Sequence, residues 1–161
     1  MRVLRSLTII AAAMLALAFD PLTALAAGSS TSQQATQPAK DPTFAAAEKA
    51  VKAGDSQGAI PLLERVVAAN PRHADALNYL GFANRKLGRL DTALAFYQRA
   101  LAVDPDHHGA HEYLGELYLQ MKDLAKAEEH LKRLDELCFF GCEEYSDLKK
   151  AIEAYKAKTA G

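Results

Sequence analysis

The sequence predicts an all-α protein made of stacked helix pairs, and three observations support this fold class. Alanine recurs throughout the 161 residues, while tryptophan is absent and aromatic residues amount to only 7%, which favours close-packed helices over a sheet. Short motifs repeat at a constant interval. The apolar residues between those motifs follow helical spacing. Half of the residues are apolar, which is enough to form a core.

The charge balance excludes two classes of protein. The chain has 19 lysines and arginines against 20 aspartates and glutamates, for a net charge of −1. A chain so balanced does not bind nucleic acid or an anionic membrane through bulk electrostatics. We therefore expect neither as a partner.

Residues 1–26 have the pattern of a secretory signal peptide. Arg2 and Arg5 precede an apolar run from Leu7 to Phe19, and Ala24-Leu25-Ala26 supplies the small residues that a signal peptidase requires. A transmembrane anchor is the alternative, but the run is short for a span and a cleavage-type site follows it. We predict cleavage after Ala26, secretion across the inner membrane into a periplasm, and no membrane insertion of the mature chain.

Residues 27–40 are predicted to be a flexible linker. This segment is rich in serine, threonine and glutamine and contains no aromatic or large aliphatic side chain. It cannot bury enough apolar surface to offset the entropy of ordering. The folded domain is predicted to span residues 41–158.

An internal repeat organises that domain. Leu80-Gly81 recurs as Leu114-Gly115, 34 residues later, and Asn70-Pro71 recurs as Asp104-Pro105 at the same interval. Further series with this interval are Ala59, Ala93 and Ala127, then Gly54 and Gly88, then Leu63, Tyr97 and Leu131. Five series that share one period are strong evidence for a repeat architecture.

Each repeat is predicted to contain two helices. In the middle unit, residues 74–87 and 90–102 carry apolar residues at helical spacing. Gly88 can take the left-handed conformation that ends the first helix, and Pro105 cannot continue the second. Gly81 suits a close approach between the two helices. Because neither helix buries its apolar face alone, adjacent pairs must stack.

This pattern resembles the tetratricopeptide repeat, with units at 40–73, 74–107 and 108–141. The middle unit matches best, through Leu77, Leu80, Gly81, Ala93, Tyr97, Ala100 and Pro105. It departs at Asn84, where the family prefers tyrosine, and the third unit has His111 in the tryptophan position and Phe139 in the proline position. The first unit has Ala46 and Ala47 where Leu-Gly would stand. The resemblance implies a short right-handed solenoid of three helix pairs.

Residues 142–158 are predicted to form a capping helix that covers the last repeat. Tyr145, Leu148, Ile152 and Tyr155 lie three and four residues apart and share one face, while Glu143, Asp147 and Lys150 are turned elsewhere. The run CFFGCEEY, which leads into this helix, also resembles the tail of small exported repeat proteins from proteobacteria.

The resemblance implies a peptide-binding groove lined by the first helix of each unit. The positions expected to face the groove are Phe44, Glu48, Lys52, Asn78, Phe82, Arg85, Lys86, Glu112, Glu116 and Gln120. Phe82 with Arg85 and Lys86, if they face outward, would suit an extended peptide with apolar and acidic side chains. A solvated helix face is the alternative. In chaperone-docking members of the family, lysine and asparagine clamp a terminal carboxylate, but Phe44 and Glu48 stand at those positions here, so we do not expect that use.

Three histidines raise the alternative of a periplasmic metal-handling protein. His107 and His111 lie one helical turn apart, with His108 beside them. However, His107 is the counterpart of His73 in the loop of the preceding unit, and His111 occupies a core position of the repeat. Histidines without a nearby carboxylate or thiol are a weak ligand set. We expect no metal here and no cofactor.

Cys138 and Cys142 are the only cysteines, with the spacing C-x3-C. A thioredoxin-like redox pair would be C-x-x-C, and zinc would need two more ligands, for which His130 is too far along the helix. We predict a structural disulfide that ties the capping helix to the third repeat, because an exported protein enters an oxidising compartment. Gly141 would turn the chain between the two cysteines in the left-handed conformation.

The sequence contains no motif that indicates an enzyme. It has no nucleophile elbow, phosphate-binding loop, dinucleotide loop or H-E-x-x-H motif. The predicted function is therefore a non-catalytic module that holds a peptide or protein in its groove. Metal handling by the histidine cluster, with or without the two thiols, is the second hypothesis, and a thiol–disulfide enzyme is the third.

Overall fold

The computed structural model describes residues 41–160, so the predicted signal peptide and linker lie outside the described residues. Within that range the chain forms helices and no strand. The helices are α1 Pro42–Lys52, α2 Ser56–Ala69, α3 Ala74–Lys86, α4 Leu90–Val103, α5 His108–Gln120, α6 Leu124–Leu137 and α7 Glu143–Thr159. Among these helices, none has both the length and the apolarity to cross a membrane. The prediction of an all-α fold is confirmed.

Polar side chains at the helix starts define where the helices begin. Asp55 and Asp123 accept backbone hydrogen bonds in the first turns of α2 and α6. At the starts of α3 and α5, the imidazoles of His73 and His107 accept the corresponding bonds from Ala76 and Ala110. These bonds satisfy backbone N–H groups that have no partner within the helix. His107 therefore has a structural role that metal binding would disturb.

The turns within the helix pairs share a left-handed residue. Gly54 ends α1 with a φ of 77°, and Gly88 ends α3 with a φ of 75°, as predicted for Gly88. The corresponding turn after α5 uses Lys122, with a φ of 63°. Gly141 has a φ of 85° in the connection to α7, as the sequence predicted. Only glycine adopts this conformation without a steric cost, so Lys122 is strained.

Helices pack first within pairs and then between successive pairs. α1 packs on α2, α3 on α4 and α5 on α6, while α2, α4 and α6 each contact the helix that follows them. Gly81 permits the closest approach in the middle pair, because a Cβ atom added there would lie 2.5 Å from the Tyr97 ring. Tyr97 is fully buried. The predicted role of Gly81 is therefore confirmed.

Helix α7 covers the last pair by packing on both α5 and α6. Leu148 and Ile152 are buried on its inner face, and Tyr145 and Tyr155 are half-buried around them. Leu148 lies close over Gly115. A Cβ atom added to Gly115 would lie only 2.6 Å from Cδ2 of Leu148. The apolar face of the capping helix is thus the one that the sequence pattern predicted.

Candidate peptide-binding groove

The first helices of the pairs lie side by side and form one continuous surface. α1 contacts α3, α3 contacts α5, and α5 contacts α7. Ring contacts cross these boundaries, with Phe44 6.0 Å from Tyr79 and Phe82 5.0 Å from Tyr113, measured between ring centroids. This surface is the candidate groove, and α7 extends it beyond the three helices that sequence analysis assigned to it.

Phe44 does not offer a surface to a partner, contrary to the prediction. It is only 3% exposed and its ring lies 4.3 Å from the imidazole of His73. Its neighbours include Ala47 and Leu80, so the residue belongs to the core between the first two pairs. The same apolar character that suggested a contact residue instead drives its burial.

Arg85 is also buried, so the expectation that it faces outward is wrong. The residue is 6% exposed. Its Nη2 lies 2.5 Å from Oε2 of Glu116, and its Nε donates a hydrogen bond of 3.4 Å to the Tyr97 hydroxyl. The ion pair bridges α3 and α5 and offsets the desolvation cost of burying this guanidinium. Arg85 and Glu116 therefore join the two helices and do not form a free cationic site.

Phe82 and Lys86 form the basic end of the groove. Phe82 is half-buried, and Lys86 is exposed with its Nζ 5.2 Å from the centre of the Phe82 ring. Both residues border a cavity of about 500 Å³ between the ends of α1 and α3, which Lys52 and Asp55 also line. This cavity brings together two lysines and an aromatic face from the predicted set.

The acidic end of the groove lies between α5 and α7. Glu112 borders a cavity of about 190 Å³ whose other walls are Tyr113, Glu143, Glu144 and Asp147. Glu112 is 9% exposed and has no hydrogen bond or ion pair to any residue in the range 41–160. Burial raises the pKa of Glu112 to about 8, helped by the charges of Glu116, Asp147 and Glu144 and opposed by Arg85.

Sequence analysis missed the acidic residues of α7. It placed Glu143 and Asp147 away from the apolar face, which is correct, but this position turns them toward Glu112 across the groove. The signal was present as three acidic residues, with Asp147 three and four positions after Glu144 and Glu143 on the same helix. Their partner on α5 could not be identified without the packing of α7.

Asn78 on α3 carries a buried polar side chain between α3 and α5. The residue is 4% exposed, and its Oδ1 has no hydrogen-bond partner among the described residues. Its Nδ2 lies against Gly109 at the start of α5, where an added Cβ atom would be 3.1 Å away. A buried acceptor without a partner is unfavourable in the free protein.

Two further positions from the predicted groove set, Glu48 and Gln120, lie far apart in the chain and on different helices. Glu48 is half-buried on α1. Gln120 is exposed and borders a separate cavity with Leu119, Tyr155 and Lys158 at the other end of α7. Gln120 therefore does not join the acidic end of the groove.

The three histidines have three different surroundings, so they do not form the predicted alternative metal cluster. His107 Nε2 lies 3.1 Å from Oδ1 of Asp75, and this interaction outweighs burial and raises the pKa of His107. His111 is buried, as predicted. Its Nε2 lies 2.9 Å from the Pro105 carbonyl oxygen, and its Nδ1 lies 2.9 Å from Nδ1 of His130. His108 instead lies beside the two cysteines.

Cys138 and Cys142 form a disulfide with their Cα atoms 5.5 Å apart, as predicted. Cys138 lies directly after α6, and Cys142 directly before α7. The bond therefore connects the last repeat helix to the capping helix. Phe139 and Phe140, in the loop that it closes, are exposed.

Comparisons with known proteins agree with this architecture. Two profile models described as tetratricopeptide repeat match the chain, at residues 44–102 and 84–152. Together they extend from the first pair into the capping helix. The chain belongs to the tetratricopeptide repeat family. A search of curated protein sequences found no match.

Solved structures show the same repeat fold. The type III secretion translocator chaperone SycD of Yersinia enterocolitica matches with a TM-score of 0.65 and 20% identity, covering 74% of this chain and 84% of SycD. SycD in complex with a peptide of the translocator YopD matches with a TM-score of 0.62 and 21% identity, covering 73% and 92%. The first repeat domain of Spaghetti (RPAP3), bound to the HSP90 peptide SRMEEVD, matches with a TM-score of 0.62 and 20% identity, covering 71% and 93%.

Proposed function

We propose that this tetratricopeptide repeat protein is an exported, non-catalytic module that binds an extended peptide of a partner protein in the groove. The observation that carries the proposal is the continuous surface of α1, α3, α5 and α7, with Lys52, Phe82 and Lys86 at a cavity at one end and Glu112 at a cavity at the other end. A peptide whose charges complement those of the two ends would be held across this surface.

The charges of the groove specify the peptide further. Lys52 and Lys86 flank the aromatic face of Phe82 at one end, which suits an apolar residue next to an acidic one. Glu112, with the carboxylates of α7 around it, suits a lysine or arginine side chain at the other end. We therefore propose a peptide with separated acidic and basic residues. This revises the sequence-based expectation of an acidic peptide, because Arg85 is neutralised by Glu116.

The relatives support the proposal without naming the partner. The SycD structure contains a translocator peptide, and the Spaghetti domain contains an HSP90 peptide. A non-catalytic role is consistent with the missing catalytic motifs in the sequence. The carboxylate clamp of chaperone-docking members is not part of the proposal, because Phe44 is a core residue here.

The test is a selection of peptides against the full chain. A displayed library of random peptides of about ten residues is selected on wild-type protein, and the winners are measured by fluorescence anisotropy. We expect enriched peptides to carry one acidic and one basic residue with an apolar residue near the acidic one. Lys86→Glu and Glu112→Gln should each weaken binding at least tenfold, about 1.4 kcal/mol.

Lys132→Glu is the matched control for this experiment. Lys132 is exposed on α6, away from the groove helices, and the substitution makes the same charge change as Lys86→Glu. Its affinity should stay within twofold of the wild type. Two results would show that the groove is not the binding surface. The selected peptides could show no charge preference, or Lys86→Glu, Glu112→Gln and Lys132→Glu could lower the affinity equally.

Export is a separate part of the proposal and has its own test. It rests on the signal pattern of residues 1–26. Fusion of residues 1–40 to a phosphatase that is active only after export should give activity in a bacterial host. The double variant Arg2→Glu, Arg5→Glu should reduce that activity severalfold. If neither the wild-type fusion nor the variant fusion were active, export through this segment would be refuted.

A further inference from the structure

A second cluster of chemistry-bearing side chains lies at the junction of α5, α6 and α7. His108 is the first residue of α5, and Cys138 and Cys142 border α6 and α7. One ring nitrogen of His108 and the two sulfur atoms all lie within 4.8 Å of one another. All three residues are half-buried. The sequence-based hypothesis of a histidine metal site left the thiols as optional ligands, and His130 was the only histidine weighed as a zinc ligand beside them.

The oxidation state of the sulfurs decides what this cluster can bind. In the structure they form a disulfide, and disulfide sulfur is not the thiolate that acts as a metal ligand. A dithiol reductant transfers two electrons and two protons to the bond, yielding two cysteine thiols and its own disulfide. The cluster then offers two thiolates and one imidazole, after the thiols release their protons to solvent on binding a metal.

The surroundings favour a cation at this place. A cavity of about 330 Å³ opens on His108, and its walls carry the carboxylates of Asp104 and Glu144 together with those of Asp75 and Asp106, which contact His107 and Arg133. Their negative charge raises the local concentration of cations. Cys142 also lies at the start of α7, where its Sγ is 3.4 Å from the Tyr145 backbone nitrogen. A helix N-terminus stabilises a thiolate in this position.

We propose that the reduced protein binds one copper(I) ion through His108, Cys138 and Cys142, and that the disulfide closes this site. Soft thiolate ligands select copper(I) and zinc among the common metals. Three protein ligands complete a copper(I) site, whereas a closed structural zinc site takes four, and no fourth histidine, cysteine or carboxylate joins this group among the described residues. The three ligands do not line the groove, and Glu144 is the residue that borders both cavities, so the inference is independent of the proposed function.

The experiment measures copper(I) and zinc binding by the full chain, purified without a polyhistidine tag. Protein reduced anaerobically with a phosphine is titrated against the copper(I) chelator bathocuproine disulfonate, and in parallel against a chromogenic zinc chelator. We expect one copper(I) per reduced chain, with near-ultraviolet sulfur-to-copper absorption. Oxidised protein should bind at least a hundredfold more weakly.

His108→Asn and His107→Asn form a matched pair for this test. Asparagine can replace the helix-capping function of His107, so that variant should bind copper like the wild type. His108→Asn should weaken binding at least tenfold, and Cys138→Ser with Cys142→Ser should abolish it. Three results would each overturn the proposal. The two histidine variants could bind copper(I) with equal affinity, the oxidised protein could bind it as tightly as the reduced protein, or the reduced protein could bind zinc but not copper.

Far-ultraviolet circular dichroism of the reduced protein and of the double serine variant accompanies the titration. We expect helicity within about a tenth of the wild-type signal, because the helices pack through buried residues other than the cysteines. Unfolding of the reduced chain would also overturn the proposal, since the site needs α5, α6 and α7 to be docked.

Discussion

Glu112 combines burial with a set of nearby carboxylates, and both disfavour its charged form. Its pKa of about 8 leaves it mostly protonated at pH 7 in the free protein. A bound lysine or arginine would favour the carboxylate and lower this pKa, so binding is coupled to release of a proton.

We therefore predict that affinity for a peptide with a basic residue rises by about tenfold or more between pH 6 and pH 8.5, because release of one proton changes the affinity about tenfold per pH unit. Titration calorimetry at pH 7 in two buffers of different ionisation enthalpy should show release of close to one proton per complex. Glu112→Gln should remove both effects, because its amide does not titrate. A pH dependence that persists in this variant would assign the proton to another group.

His130 forms a second titrating site, inside the third pair. Its ring lies 5.6 Å from that of Tyr118 and contacts His111. Burial and the neighbouring His111 lower the pKa of His130 to about 4, and burial lowers the pKa of His111 as well. In the unfolded chain both pKa values are close to 6.5, so the unfolded state binds more protons between pH 4 and 6.5.

The free energy of unfolding should therefore fall as the pH is lowered from 6.5 towards 4. His130→Phe keeps an aromatic ring on Tyr118 but cannot titrate, so its melting temperature should fall less steeply over this range. His108→Asn is the control and should follow the wild type. Parallel melting curves for His130→Phe and the wild type would show that the buried histidines do not control acid stability.

Lys122 is a third residue whose backbone carries a cost. It takes a φ of 63° in the turn where Gly54 and Gly88 stand in the first two pairs. We predict that Lys122→Gly raises the free energy of unfolding by about 0.5–1 kcal/mol, because relief of the left-handed strain exceeds the entropy cost of glycine. Urea denaturation measures the change. Gly88→Ala should act in the opposite direction, and destabilisation by Lys122→Gly would contradict the prediction.

At the scale of the element, the docking of α7 depends on the contact between Gly115 and Leu148. Gly115→Ala places a methyl group against the Leu148 side chain and should cost about 1–3 kcal/mol. Leu148 is fully buried, so Leu148→Ala should cost about 2–5 kcal/mol by leaving a cavity.

Combining the two substitutions should cost less than the sum of the single changes, because the new methyl group enters the space that leucine leaves. Urea denaturation of the four proteins gives a double-mutant cycle, and we expect a coupling of about 1 kcal/mol or more. Gly115→Ala with Ile152→Val serves as the control pair. Strict additivity for Gly115 and Leu148 would mean that α7 is not seated on this contact.

At the scale of the whole molecule, each pair is stabilised by its neighbours, so the ends should open before the middle. The disulfide opposes opening at the carboxyl end, and so short a loop contributes about 2 kcal/mol. The first pair has no such covalent constraint among the described residues.

Replacement of both cysteines by serine should therefore loosen α7 selectively. Hydrogen exchange measured by mass spectrometry should show protection in α7 falling about thirtyfold, the equivalent of 2 kcal/mol, while α1 and α2 are unchanged. Uniformly faster exchange across all helices would indicate instead that the disulfide stabilises the domain as one cooperative unit.

The fold was predictable because its determinants are local and repeated. Leu77, Gly81 and Tyr97 follow from helical spacing and from the 34-residue interval, and each is buried as that pattern requires. Gly88 and Gly141 were predictable because glycine marks a left-handed turn. Lys122 was not, because a lysine gives no such signal.

The candidate sites were only partly predictable. Lys52, Phe82 and Lys86 meet at one cavity, whereas Phe44 and Arg85 are buried. Helical periodicity shows which face a residue occupies, but not how far the neighbouring helix covers that face. Burial of Arg85 required a carboxylate at the matching height of α5, and only the packing of α3 on α5 brings Glu116 there.

The sequence by itself determined the helix pairs, the turns between them, the apolar face of the capping helix and the pairing of the two cysteines. These features depend on residues close in the chain or related by one period. Only the tertiary structure decided that Glu112 faces the acids of α7 and that His108 reaches the cysteines. Those contacts join residues about 30 positions apart, and their distances depend on how α7 sits on α5 and α6, which no local pattern encodes.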